Sequence, residues 1–496
     1  MTERLDPGHY RPVLIQNDAL LRRFGALDLA ELYLRSGIGH TAAVTPHYTS
    51  AEDGVAFVSG GCIVDGHLHL AGATRIQHSA HVGIMSGSRL APGWVLFVRK
   101  GELGNSAIVP PGREVNCSSE VMFLEMRPDA DAGFVSSYFN SRHGRMAFLR
   151  QQRGMMITSI SLYDVPNLPV PKVHRDVARY IGDKVRQAER LRERARRLRR
   201  ATSGAFSAAG LLPASSTIKR VERVRAVDVL DRLDSLHYRS DLLENLHAIR
   251  RHPTVCLGSA TDFAELADGD HGNPVYGDGP IYVRATELAG DTLDSHTEAR
   301  LDERYSNALP SSVWASSNDV LFSIVGTLGA VGILEDGNRA VLSRGVAKVR
   351  PIKLQKHYVK AFMRTRTFAN ELLRRSVGTI QRGVYLESLR GLEIPVLDEH
   401  IRSVIANNEE TADKSLLYSK RLSRAACLIV EHLIEGRISE SDLVAAQKAL
   451  EAGDYSADRS ILQALRQSDA PMARPLIPDL DGLYALLDEP DEGEDR

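Results

Sequence analysis

The chain has only four cysteines in 496 residues, and Cys62, Cys117, Cys256 and Cys427 lie far apart with no CxxC pair. That spacing excludes a zinc site built on paired cysteines and a disulfide framework, and it fits a reducing cytoplasm. No apolar run approaches the roughly 20 residues needed to span a bilayer. The opening MTERLDPGHYRPVL lacks the basic segment, apolar stretch and small-residue cleavage site of a signal peptide. An excess of one charge is also missing: 62 Lys and Arg face 63 Asp and Glu, for a formal net charge of −1. The average hides a basic stretch, RQAERLRERARRLRR (Arg186–Arg200), and an acidic end, LLDEPDEGEDR (Leu486–Arg496). A local basic surface is therefore compatible with a neutral chain.

Catalytic signatures are scarce as well. No GxxxxGK[ST] phosphate loop and no PD…[DE]xK nuclease pattern occurs. GTLGAVG (Gly326–Gly332) is not GxGxxG, and GNPVY (Gly272–Tyr276) lacks the second proline of the [DN]PP[YF] found in amino-methyltransferases. The expectation is a non-catalytic chain with no metal and no bound cofactor.

What is present is a second beginning. RLDPGHYR (Arg4–Arg11) returns as RLDSLHYR (Arg232–Arg239), with six of eight positions identical. VLFVRKGELGNSAIVPPG (Val95–Gly112) aligns without gaps on VLFSIVGTLGAVGILEDG (Val320–Gly337), with the glycine pairs Gly101/Gly326, Gly104/Gly329 and Gly112/Gly337. NLPVPKVHRDVARYI (Asn167–Ile181) matches GLEIPVLDEHIRSVI (Gly391–Ile405). Three matches in one order and at nearly one offset indicate a tandem duplication of a domain-sized unit, far longer than a solenoid repeat. His9 and His237 recur with the opening motif, and a repeated Asp-His-Tyr-Arg set at a domain start reads as a buried hydrogen-bonded network.

Each copy begins with short apolar runs between Gly-rich turns, which predict strands: Gly54–Val64, Trp94–Gly112 and Val121–Met126, then Gly279–Gly290, Asp319–Gly337 and Val346–Leu354. One helical segment follows in each, Gly133–Gln152 and His357–Ser376. A long helix closes each copy. From Arg175 to Arg200 the stripe Ala178, Ile181, Val185, Ala188, Leu191, Ala195 and Leu198 is spaced by threes and fours. A less regular stripe, Ile401, Ile405, Ala412, Leu422, Ala426, Ile429 and Leu433, marks a second helix from about Glu399 to Glu435. The predicted fold is α+β: two tandem mixed α/β domains (1–171 and 231–397) separated by two long helices (172–230 with its linker, and 398–438). These helices pair as an antiparallel coiled-coil stalk with pseudo-twofold symmetry; the alternative packs each helix on its own domain. Residues 439–496 form a helical tail that docks on a partner or folds back, with an acidic end.

These elements together resemble the specificity subunit of type I restriction-modification systems. RLDxxHYR is similar to that family's RLDA-x-Y opening, and VLFSIVGTLGAVGIL to its strand–turn–strand element. SVGTIQRGVYLESLRGLEIPV (Ser376–Val396) resembles the segment that leads into its helix, and LIEGRI (Leu433–Ile438) the end of the second helix. The resemblance covers about residues 1–440. The first copy departs from it with FVRKGELG, and with Met155-Met156 where the second has Thr379-Ile380. It implies two target recognition domains reading a split double-stranded DNA target, and no catalysis in this chain. Its partners would be two DNA adenine methyltransferase subunits, which would bind S-adenosylmethionine, and a restriction translocase subunit. A recognition subunit of a different phage-defence system and a protein scaffold without DNA are the competing readings.

Reading DNA needs basic side chains for phosphates and forked or polar ones for base edges. The candidates are Arg75, Arg99, Lys100, Arg142, His143, Arg145 and Arg153 in the first domain. In the second they are Arg284, Arg344, Arg364, Arg366, Arg374, Arg375 and Arg382. Arg153 and Arg382 are favoured, because they stand beside the paired glycines Gly154 and Gly378.

Overall fold

The computed structural model describes residues 7–51, 53–70, 72–154, 158–212, 223, 234–288, 293, 299–378, 381–466 and 474–489. Arg4–Asp6, Arg232, Leu233, Met155-Met156, Thr379-Ile380 and the acidic end beyond residue 489 lie outside the described residues. Two compact units divide the chain, Met1–Leu191 with Tyr418–Arg496, and Arg192–Leu417. Each long helix therefore contributes half its length to each unit.

The first unit holds an antiparallel sheet in the order Ser106–Ile108, Val95–Val98, Val121–Met126, Tyr33–Ile38. The second unit repeats it as Val331–Ile333, Val320–Ser323, Val346–Pro351, Phe263–Asp268. A second, mixed sheet in each has one parallel pair, Val55–Val58 with Val115–Cys117 and Tyr276–Val283 with Arg339–Leu342. A two-stranded sheet completes each copy: Ala26–Asp28 with Pro169–Pro171, and Thr254–Cys256 with Glu393–Pro395. The duplication read from scattered identities is thus a duplication of strand order and direction.

The paired glycines explain part of the shared sequence. Gly104 and Gly329 close equivalent hairpins at φ +86° and +82°, in the left-handed region that side chains with a Cβ avoid. A Cβ on Gly104 would approach Phe148 to 3.0 Å, and one on Gly329 would approach Ala369 to 3.4 Å. Gly329→Ala is expected to destabilise the second unit by roughly 1–2 kcal/mol, the cost of forcing an L-residue into this conformation. The midpoint of urea denaturation measures it.

The single helical segment expected in each copy is two helices. Ala132–Asn140 and Arg142–Gln151 break at Ser141, whose hydroxyl accepts from Gly144 N. Lys356–Met363 and Arg366–Arg375 break at Thr365, which accepts from Phe368 N in the same way. A hydroxyl cap starts a new helix where periodicity alone shows one. A second departure is Ala285–Leu288, helical where a strand was expected to continue. One aromatic exchange conserves a bond. The hydroxyl of Tyr138 donates to Pro169 O at 2.6 Å, and that of Tyr358, one turn earlier in its helix, donates to Pro395 O at 2.7 Å.

The repeated histidines are hydrogen-bonded in both copies, but only His237 is buried as expected; His9 is half-buried and Tyr10 beside it is exposed. His9 Nδ1 donates to Arg150 O at 2.7 Å and His237 Nδ1 to Arg374 O at 3.1 Å, tying each domain start to the end of a core helix. Arg374 Nη1 donates to His237 Nε2 at 3.0 Å, and Asp234 accepts from His237 N at 3.1 Å.

The long helices are Arg175–Ala208 and Glu399–Ile434, the first extending eight residues past the expected Arg200. In the first unit Ile181, Val185, Ala188 and Leu191 are buried in one core with Leu422, Ala426, Ile429 and Leu433. In the second, Ala195 packs with Ala412 and Leu416, Arg199 pairs with Asp413 at 3.2 Å, and Phe206 shares a core with Ile405 and Ala406. Later residues of one helix meet earlier residues of the other, so the pair is antiparallel. Ile401, expected in the stripe, is exposed. Each helix half also packs on its unit's mixed elements, so pairing and own-domain packing coexist. No helix among the described residues is long and apolar enough to cross a membrane.

The tail folds back within the first unit as Glu440–Glu451, Ser456–Ala464 and Leu480–Asp488. Leu443, Leu462, Leu476 and Leu483 enter the core that holds Val177 and Ile181.

Candidate nucleic-acid interface

Three loops of the second unit meet through backbone hydrogen bonds. Gly326 N donates to Arg382 O at 3.0 Å, Ile324 N to Gly345 O at 2.9 Å, and Val384 N to Ile324 O at 2.9 Å. Ser343 N donates to Val283 O at 2.9 Å, bringing in the end of the mixed sheet. The sheet architecture thereby gathers Arg284, Arg344 and Arg382, which the sequence separates by up to 98 residues. Arg344 and Arg382 are exposed and face no carboxylate among the described residues. Arg382 Nη1 makes one long bond, 3.5 Å, to Ser376 Oγ. Arg284 is paired with Glu287, which holds its guanidinium further above its ordinary pKa. Burial, the largest effect, and the Asp270 charge push the Tyr282 phenol up, against the opposing influence of Arg284 and Arg344.

The first unit makes the same convergence with less free charge. Arg99 N donates to Glu120 O at 2.8 Å, Ile160 N to Arg99 O at 3.1 Å and Gly101 N to Thr158 O at 3.3 Å. Arg153 pairs with Ser159 through backbone bonds of 2.7 and 2.9 Å in both directions. Arg99, Lys100 and Arg153 are thus brought together. The Arg99 guanidinium is used on Ser119 O (2.9 Å) and Ile160 O (3.4 Å), and Arg153 forks onto Asp164 with two bonds of 2.9 Å. Lys100 has no carboxylate partner among the described residues.

The remaining candidates lie elsewhere. Arg75 sits on the mixed sheet and donates to Gly54 O at 2.7 Å, and Arg145 is exposed beside Asn140 O at 3.3 Å. Arg142 is paired with Glu431 and Glu435 of the second long helix and its terminus. His143 is a correction: only 4% exposed, it lies between Asn17 Oδ1 (2.7 Å) and Glu435 (2.8 Å) and presents nothing to a surface. Arg374 is a second, equally buried between Glu371 and His237. Arg375 donates to Gly391 O at 2.6 Å, and Arg364 pairs with Glu409 at 2.8 Å. Arg366 heads its helix beside a cavity.

Side chains that the sequence reading missed stand at the same convergence. Tyr276 lies beside Arg284, Gln381 adjoins the Gly326 turn, and Tyr385, 71% exposed, follows Arg382. GTIQRGVY held Gln381 and Tyr385 in plain view, but charge was the criterion, and aromatic exposure leaves no periodic mark.

Forked guanidinium and amide groups on backbone-tied loops suit phosphate and base-edge contacts. Burial pushes the Cys117 and Cys427 thiols up to about 12, which removes them as nucleophiles. Among the described residues no group of three His, Cys, Asp or Glu side chains is placed to hold a metal ion.

No protein-family model and no curated protein matches the chain. Among solved structures, the S subunit of a type I restriction-modification system from M. genitalium is similar at 11% identity, covering 84% of this chain and 96% of that one, with a TM-score of 0.40. A chain from a study of complex assembly and conformational transition in the type I R-M system is similar at 16% identity, over 85% of this chain and 96% of that one, with a TM-score of 0.27. The HsdS subunit from Thermoanaerobacter tengcongensis is similar at 17% identity, over 83% and 97%, with a TM-score of 0.26.

Proposed function

We propose that the chain is a DNA-recognition subunit that reads a bipartite target, one half-site per repeat, and directs partner subunits to it. The observation that carries this reading is the repeated convergence of three loops on the same sheet topology, with exposed Arg344 and Arg382 in one copy and half-buried Lys100 in the other. Duplicated readers with different loop chemistry suit two half-sites of different sequence. Two readers separated by long helical segments suit a split target with unread base pairs between its halves. The motifs shared with type I specificity subunits make the partners DNA adenine methyltransferase subunits, two per chain. S-adenosylmethionine then belongs to those partners, and a restriction translocase completes the assembly.

The test is adenine methylation mapped across the source genome with and without the gene. Loss of one split motif is the expected result; no change in methylation, together with no salt-sensitive DNA binding by the assembled complex, would sink the proposal. A finer outcome concerns the second half-site. Arg344→Ala with Arg382→Ala is expected to weaken DNA binding by the complex about tenfold or more, at roughly 1 kcal/mol or more per lost base contact, while first-half-site discrimination stays intact. Loss of phosphate contacts would instead flatten the salt dependence by about one unit of slope per residue. Competition binding on half-site variants at two salt concentrations separates the two.

A further inference from the structure

Equivalent helix starts in the two units are treated differently. In the first, Ser141 caps the helix Arg142–Gln151, and Glu431 fills its amino-terminal end: Glu431 Oε1 accepts from Arg142 N at 2.9 Å. Glu435 completes the set by pairing with the Arg142 guanidinium and accepting from His143 Nε2 at 2.8 Å. In the second, Thr365 caps the helix Arg366–Arg375, and Arg366 stands where Arg142 stands, 224 residues on. At that same offset Glu431 and Glu435 become Ser207 and Leu211. Both carboxylates are gone, and Arg366 faces no carboxylate among the described residues.

Leu211 is buried in the core and refills only part of the space. Small residues in the first long helix, Ser203 and Gly204, occupy the positions of Cys427 and Leu428, and a cavity of about 330 Å³ opens against the helix start. Its walls include Arg199, Arg364, Arg366, Thr202, Asn370 and Phe206. The acidic groups that reach it are already matched. Glu409 lies 2.8 Å from Arg364 and 3.2 Å from Lys360, and Asp241 lies 2.6 Å from Arg239. Thr202 is 5% exposed, and its hydroxyl has no hydrogen-bond partner.

We infer that this cavity is a binding site for a small oxyanion of the phosphate class, seated where Glu431 sits in the other repeat. Three observations converge: an uncompensated Arg366 at an open helix amino terminus, a buried hydroxyl without a partner, and a carboxylate on the equivalent groups of the sister unit. Free backbone N–H groups and the positive end of the helix dipole favour an anion there. Phe206 and Leu212 supply an apolar wall, so the oxyanion is carried on a small organic group.

The test titrates the full chain with inorganic phosphate by calorimetry, with ionic strength held constant by chloride. Saturable binding is expected, and it should weaken at least tenfold in Arg366→Gln and in Ser207→Glu. Ser207 is exposed, so the second variant supplies the missing carboxylate without disturbing the core. Absence of saturable phosphate binding in the parent chain, or unchanged binding in both variants, would overturn the inference. DNA recognition is not required for either result, so this site stands or fails apart from that reading.

Discussion

Replacing Asp458 with Ala is expected to destabilise the first unit by about 3–5 kcal/mol, the usual consequence of leaving a buried charge without its partner. Asp458 lies in the tail and accepts from the hydroxyls of Tyr180 and Tyr484, both at 2.5 Å. Its carboxylate also meets Lys184 Nζ at 2.7 Å, and both charged side chains are buried. Burial, then the Asp458 charge, drives both phenols well above their ordinary range, so they remain donors. Without the carboxylate, the Lys184 ammonium stays in a dry site against the Tyr180 ring. The double variant Lys184→Met with Asp458→Leu should recover only part of the loss, because two apolar groups replace two desolvated charges while the Tyr180 and Tyr484 hydroxyls lose their acceptor. Chemical denaturation of the parent and the two variants measures both outcomes. A single-variant loss below about 1 kcal/mol would mean that the ion pair does not hold the tail in place.

Glu409→Gln is expected to cost the second unit a similar amount, about 3–5 kcal/mol, and to change its response to acid. Burial acts to raise the Glu409 carboxyl, but Lys360, Arg364 and Arg199 outweigh it and hold the group at about 2, below its ordinary 4.5. Because the folded-state value lies below the unfolded one, the stabilisation is complete above about pH 4.5. It is lost as pH falls towards 2. The parent chain should therefore lose stability steeply over that window, and the Gln variant should show a shallower acid limb from a lower plateau. Equal slopes in the two proteins would show that other carboxylates dominate acid unfolding.

Much of the architecture was legible because duplication writes the same constraints twice. Gly101/Gly326, Gly104/Gly329, Gly112/Gly337 and Gly154/Gly378 all take positive φ, so their recurrence in sequence was a recurrence of backbone geometry. The apolar stripe of the first long helix was equally readable, since burial against one neighbour needs one face. Its true end at Ala208 was less so, because ATSGAFSA carries no repeating stripe and packs mainly through one large residue, Phe206. The interface was legible only in part. Arg344 and Arg382 stand exposed at the loop convergence, whereas His143 and Arg374 are buried structural groups. A basic residue reads the same in sequence whether its partner is a phosphate or a carboxylate 290 positions away.

The sequence by itself determined the two-copy plan, the strand and turn content of each copy, the long helices and the scarcity of catalytic groups. These follow from local periodicity, glycine placement and composition, which act over a few residues. Only the tertiary structure decided that the tail folds back through Asp458, which arginines are already paired, and that one helix start is filled while its counterpart opens on a cavity. Those outcomes depend on which side chains meet across hundreds of residues, and burial makes such meetings worth several kcal/mol whether or not the local sequence marks them.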